Sequence, residues 1–235
     1  MAAEELNAIA KSIVADHKGV LAADESTGTI KKRFDSIGAE STEESRRAYR
    51  NLLFTTTGCE DYIGGVILYD ETIRQAADDG TPFPKLLAGK GIVPGIKVDT
   101  GAQDLAGHPN EKVTEGLDGL RARFAEYHAL GARFSKWRAV ITIGDGIPTD
   151  ACLHVNAHAL ARYARRLSSV DGVEIDLSRF SIVPELSSAA RMPLPGATSA
   201  RAMSSRLLPI SPPRSLASSG LSRLQNAVSI LFGRR

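Results

Sequence analysis

Ala132–Ile143 reads A-R-F-S-K-W-R-A-V-I-T-I. Its β-branched and aromatic residues make it a strand. With a period of two, Phe134, Lys136, Arg138 and Val140 share one face, and Ser135, Trp137, Ala139 and Ile141 share the other. The second face is apolar and carries the chain's single Trp. The first puts two cations where a strand inside an α/β protein normally buries Val or Ile. Cations there are costly unless paired or set in a polar cleft, so the stretch points to a site for an anionic ligand. The competing reading is an edge strand with its charges in solvent.

Working outward, three earlier stretches read as strands: Gly19–Ala23, Ile63–Tyr69 and Ile92–Asp99. Amphipathic patterns between them predict helices over Glu4–Ala15, Thr29–Ile37, a segment opened by Ser41 with Glu44 as a capping box, and Glu115–Leu130. The Ser41 helix is expected to turn Tyr49, Leu52 and Leu53 inward, with Arg46, Arg47 and Arg50 along a solvated face. Pro82–Ala88 is at best a short helix, Gly101–Val113 a polar loop, and Thr149–Arg162 a last helix. Strands alternating with helices argue for βαβ units on a parallel sheet. Three of the four strands bring charge to their C-terminal ends: Asp24, Lys97 with Asp99, and Lys136 with Arg138. A (β/α)8 barrel collects its catalytic residues at that end. An open doubly wound sheet would use the same ends, but no G-x-G-x-x-G or Walker sequence follows a strand.

The composition, 43% hydrophobic and 24% charged over 235 residues, is that of a globular protein. Cys59 and Cys152 do not make a disulfide framework, and the expectation is a cytoplasmic protein. The N-terminus lacks a signal-peptide pattern, and no apolar run is long enough to span a membrane. The net charge of +2 hides a break: residues 1–164 hold 19 Lys and Arg against 23 acids, while residues 165–235 hold 10 arginines against four acids. Lys136 is the last lysine and Glu185 the last acid.

Read together, these stretches resemble the class I fructose-bisphosphate aldolases. The resemblance rests on G-V-L-A-A-D-E-S-T-G-T-I (19–30), T-E-E-S-R-R-A-Y-R (42–50), G-G-V-I-L-Y-D-E-T (64–72), G-I-K-V-D (95–99), G-L-D-G-L (116–120), F-S-K-W-R (134–138) and L-A-R-Y-A (160–164). It is collinear and runs to about Ala164. It implies the (β/α)8 TIM-barrel fold, here an incomplete barrel of about four βα units followed by an irregular tail. It also implies reversible cleavage of fructose 1,6-bisphosphate to dihydroxyacetone phosphate and glyceraldehyde 3-phosphate, as in glycolysis. The chemistry is a lysine Schiff base, without metal or cofactor. By position, Asp24 would handle the proton of the hydroxyl beside the broken bond, Lys97 and Lys136 would supply positive charge around the reacting carbons, and Arg138 would order the cluster. Ser26, Arg33 and Arg46 match positions near a substrate phosphate, which suits bidentate guanidinium recognition. The implied partner is a small sugar phosphate. Family members are homo-oligomers; the state of this chain is left open. Thr100 stands where many members have lysine.

After Ala164 the resemblance stops. The family continues with V-P-I-V-E-P-E, which holds the general base, and later L-K-P-N-M, which holds the Schiff-base lysine; neither is present. Ile182-Val183-Pro184-Glu185 is displaced and lacks the second acid, and no lysine follows Lys136. The expected division is therefore an aldolase-like partial barrel over 1–164 and a Ser/Arg/Pro-rich, weakly ordered tail over 165–235, of the kind an out-of-frame reading produces. Leu221–Phe232 reads as a short amphipathic helix or an accident of composition. A half barrel is expected to leave a sheet edge and apolar strand faces uncovered, with poor stability or self-association as the result. The alternative function is a non-catalytic binding or scaffold fragment that keeps the phosphate-attracting cluster.

Other motifs are set aside. The tail's scattered arginines lack interleaved aromatics, so no nucleic-acid partner is expected. Cys152, His154 and His158 have helical spacing but no fourth ligand and no metalloprotease glutamate, so no metal is expected.

Overall fold

The computed structural model describes residues 2–15, 17–171 and 223–231. The elements run α1 (Ala2–Ile13), β1 (Gly19–Ala23), α2 (Thr27–Asp35), α3 (Glu43–Thr55), β2 (Ile63–Leu68), α4 (Asp70–Ile73), α5 (Phe83–Gly89), β3 (Val93–Lys97), β4 (Gly101–Asp104), β5 (Lys112–Glu115), α6 (Leu120–Ala129), β6 (Phe134–Thr142), α7 (Asp150–Asp171) and β7 (Arg223–Leu231). Strands β1, β2, β3 and β6 pair in that order, all parallel. They form a curled half-barrel, and β7 adds to β6 antiparallel.

The outer face of the sheet holds the core. Leu68, Ile96, Val98 and Trp137 are essentially inaccessible, as are Phe83 and Leu87 of α5, Leu120 and Phe124 of α6 and Tyr163 of α7. Trp137 stacks on Tyr163 with ring centres 5.3 Å apart, and Ser135 Oγ meets the Tyr163 hydroxyl at 2.6 Å. The inner face begins with a floor. Phe134, Ile67 and Ile13 of α1 form a separate apolar cluster. The floor fits only because neighbouring strands carry glycine. A Cβ on Gly95 would sit 2.3 Å from the Phe134 ring, and one on Gly64 would sit 2.2 Å from the Ile13 carbonyl oxygen.

Several expectations are corrected. Residues 101–115 are not a plain loop: Gly101–Asp104 and Lys112–Glu115 form an antiparallel hairpin, with Gln103 opposite Val113. The β-branched pair Val113 and Thr114 favours strand over coil. This hairpin takes Glu115, so α6 starts only at Leu120, behind Gly119 at φ +63°. The α3 cap is Thr42 with Ser45, not Ser41 with Glu44: Thr42 N–H donates to Ser45 Oγ at 2.9 Å and Ser45 N–H to Thr42 Oγ1 at 3.1 Å. Leu52 faces solvent, whereas Arg50 and Phe54 are buried.

The expected Leu221–Phe232 helix is instead a strand over Arg223–Leu231. Its residues fit either period, and the long open edge of β6 offers ladder bonds that outweigh local preference. Helix α7 runs across the expected boundary at 164, to Asp171. The remaining tail, with the displaced Ile182–Glu185 motif, lies outside the described residues.

Candidate functional site

Residues that sequence reading places at the strand ends do converge. Asp24 follows β1, Lys97 closes β3, and Lys136 lies in β6 directly opposite Lys97 in register. Two ammonium groups side by side on one sheet face repel. Each is neutralised by its own carboxylate. Lys136 Nζ donates to Asp24 Oδ2 at 2.6 Å, and Lys97 Nζ donates to Asp99 Oδ1 at 2.6 Å and to the Asp99 carbonyl at 2.6 Å. All four side chains are nearly buried, between 1% and 12% exposed, so the pairing is what makes the charges tolerable.

Asp99 also ties the two strands together, because its Oδ2 accepts from the Arg138 backbone N–H at 3.2 Å. Thr114 of β5 donates its hydroxyl to the Arg138 carbonyl at 2.6 Å, bracing that residue from the hairpin side. The Arg138 side chain is half-buried, and its Nε has no hydrogen-bond partner among the described residues.

The expected phosphate contacts differ among themselves. Ser26 sits at the start of α2 with its hydroxyl 3.1 Å from Thr29 Oγ1. Arg33 is largely exposed and pairs with Glu25. Arg46 is already held bidentate by Glu71, through Nε at 2.8 Å and Nη2 at 2.6 Å, with Nη1 on the Ser41 carbonyl at 3.1 Å. Its fork is occupied by a protein carboxylate.

Sequence reading missed the support beneath Asp24. Arg50, expected on a solvated face, is 2% exposed and pairs with Glu25 at 2.9 Å while donating to the Glu25 carbonyl at 3.2 Å. Burial pulls its guanidinium below the usual value, opposed by the Glu25 charge. The signal was available: Arg46, Arg50 and Phe54 lie four residues apart, on one helical stripe.

A second support braces α7. Glu111, 1% exposed, accepts from Thr149 N–H and Oγ1–H at 2.7 Å each. Burial opposes its ionisation, but the Thr149 bonds outweigh that and hold its carboxyl below the ordinary value. Burial pushes the neighbouring Cys152 thiol up to about 11, which makes it a poor nucleophile at neutral pH.

A cavity of about 810 Å³ opens between the 104–112 segment and the end of β6. Val140 and Thr142, further along the inner face, line it together with His108 and Lys112; the charged pairs lie outside its lining.

The comparisons with known proteins agree with this geometry. The family of class-I fructose-bisphosphate aldolases matches residues 5–175, and the chain belongs to it. It is 63% identical over 164 residues to a probable fructose-bisphosphate aldolase class 1 of Xanthomonas campestris, covering 70% of this chain and 49% of that protein. It is 54% identical over 164 residues to fructose-bisphosphate aldolase 1 of Toxoplasma gondii, covering 69% and 45%. Among solved structures, fructose-bisphosphate aldolase from Plasmodium falciparum, crystallised with TRAP and a small-molecule inhibitor, superimposes with a TM-score of 0.68 at 50% identity. The alignment covers 70% of this chain and 48% of that one. The chain thus spans about half the length of the curated relatives it matches. Among the described residues, no helix is long and apolar enough to cross a membrane.

Proposed function

We propose that this chain keeps the charged half of an aldolase site, binds a sugar phosphate there, and does not cleave it. The observation that carries the reading is the convergence of Asp24 after β1, Lys97 and Asp99 at the end of β3, and Lys136 and Arg138 within β6, in a chain with no lysine after Lys136.

In class I chemistry an amine attacks the substrate ketone, and the iminium accepts the electrons of the breaking C–C bond. The attacking amine must be free and unprotonated. Lys97 and Lys136 are each held to a buried carboxylate at 2.6 Å, an arrangement that suits charge stabilisation rather than attack. The family resemblance gives Asp24 the place of the proton acceptor beside the cleaved bond, Lys97 and Lys136 the positive charge around the reacting carbons, and Arg138 their ordering; in this chain the same groups hold the sugar phosphate without cleaving it. Ser26 and Arg33 stand nearest to a phosphate role. Arg46 reaches one only by leaving Glu71.

The strand beside β6 adds to the argument. Ser229 pairs with Lys136 and Ala227 with Arg138, so neither position supplies the acid that a general base requires. The reading divides the chain functionally at about residue 164, with the binding half before it. This binding calls for no metal or cofactor. A cytoplasmic setting fits it.

Calorimetric titration of fructose 1,6-bisphosphate, with phosphorus NMR on the same sample, tests the reading. The expected result is saturable binding, weakened at least about tenfold by Lys136→Met, a loss of roughly 1.4 kcal/mol, with no triose phosphate formed. Absence of binding, or formation of product, would overturn it.

A further inference from the structure

We infer that the cavity beyond Arg138 is a second phosphate subsite, which takes the far phosphate of a sugar bisphosphate and makes the chain prefer bisphosphates to monophosphates. The inference rests on the sugar-phosphate reading above. None of the residues that build the subsite lies in the stretches that resemble the aldolases.

Lys136, Arg138, Val140 and Thr142 follow one another along the inner face of β6, about 7 Å apart. The charged pairs occupy the first part of that row, and Val140 and Thr142 line the cavity. Lys136 also reaches Asp24, so the end of β1 that leads to Ser26 lies close to the row. A ligand with one phosphate near Ser26 and Arg33, and its carbons over Lys136, is directed along the row into the cavity. The cavity measures about 810 Å³, inside the range of small-ligand sites, roughly 300–1,000 Å³.

Asn110, Lys112 and Thr142 bring hydrogen-bond donors to its lining. Thr142 is only 7% exposed, yet neither its hydroxyl nor the Asn110 amide has a hydrogen-bond partner among the described residues. Lys112 Nζ donates to Asp104 Oδ1 at 2.5 Å, but the Asp104 side chain is 87% exposed. A pair set so far into solvent is weak and readily exchanged for a phosphate. Arg46 differs, because the half-buried Glu71 grips it through two bonds. The Lys112 backbone is fixed independently of its side chain. Its carbonyl accepts from Asn156 Nδ2 at 2.8 Å, and the residue sits opposite Asp104 in the hairpin. Turning Lys112 to a ligand therefore moves one side chain and leaves the fold alone. A phosphate in the cavity meets an ammonium, an amide and a hydroxyl, and the bond from the ammonium is charge-assisted.

The test is calorimetric titration of fructose 1,6-bisphosphate, fructose 1-phosphate and fructose 6-phosphate into the full chain and three variants. The full chain should bind the bisphosphate at least about tenfold more tightly than either monophosphate. Lys112→Met should weaken the bisphosphate about tenfold and leave the tighter monophosphate within about twofold, which also shows that the rest of the site is still formed. Thr142→Val should act in the same direction, by about threefold. Asp104→Asn removes the carboxylate that competes for Lys112 and should tighten the bisphosphate about threefold, a gain that damage to the fold does not produce. Equal affinity for bisphosphate and monophosphate, an equal loss of both in Lys112→Met, or no gain in Asp104→Asn would overturn the inference and leave the sugar-phosphate reading standing. A full chain that binds none of the three sugars would overturn that reading, and the inference with it.

Discussion

The two faces of β6 do different work, although their residues alternate along one nine-residue strand. On the outer face, Ser135, Trp137, Ala139 and Ile141 are buried against helices, and the largest contact is Trp137 on Tyr163. On the inner face, Phe134 sits on an apolar floor, and Lys136 and Arg138 stand above it in a cluster of buried charge. The outer face is stabilised by area removed from water. The inner face holds Lys136, beside Lys97 of β3, and the fold tolerates each lysine because a carboxylate pairs with it. One face should therefore answer to volume and the other to charge.

The largest expected effect is on the outer face. Trp137→Ala removes a fully buried ring and should destabilise the chain by about 4 kcal/mol, measured by urea unfolding. Next is Lys136→Met on the inner face. It leaves the Asp24 carboxylate buried without its counter-ion and should cost about 3 kcal/mol. The paired variant Lys136→Met with Asp24→Leu should recover most of that loss. If the double variant is as unstable as the single, the face is not governed by charge pairing. Gly95→Ala tests the floor: its Cβ falls 2.3 Å from the Phe134 ring, and the overpacking should cost about 2 kcal/mol, relieved by Phe134→Leu in the same chain. Ser135→Ala removes the partner of the buried Tyr163 hydroxyl and should cost about 1 kcal/mol.

The smallest effect is a pH dependence. Glu111 anchors the start of α7, the helix that carries Tyr163 onto the outer face. The Thr149 bonds hold its folded carboxyl below the ordinary glutamate range, so its stabilisation is complete above that range and fades as pH falls through the lower folded value. Glu111→Gln keeps one acceptor oxygen for two Thr149 donors, so it should lower stability near pH 7 by up to about 1 kcal/mol and flatten the acid limb of the stability profile, which equilibrium unfolding between pH 3 and 7 resolves.

The division between the faces was legible because strand periodicity is strict. Lys136 and Trp137 cannot share a side, and Asp24 and Lys97 each close an apolar run. The resemblance to the aldolase family then supplied the order of the strands. What was not legible depended on contacts between distant residues. Arg50 is four positions from Arg46 on the same helix, but nothing local says that Glu25 will be waiting for it. The 101–115 hairpin is short and polar, and its pairing follows from Thr114 and Glu111 being held by β6 and α7. The capping box moved by one residue because Ser45 serves both legs, where the sequence rule looks for Glu or Gln. Arg223–Leu231 becomes a strand through an edge 81 to 97 residues upstream in the chain, about which its own composition says nothing.

The central claim is that the charged inner face persists without a Schiff-base nucleophile. The direct measurement is to incubate the full chain with dihydroxyacetone phosphate, reduce with borohydride and weigh the intact protein. The account predicts an unmodified mass. A covalent adduct mapped to Lys97 or Lys136 would contradict it, because one of those paired ammonium groups would then be acting as a free amine.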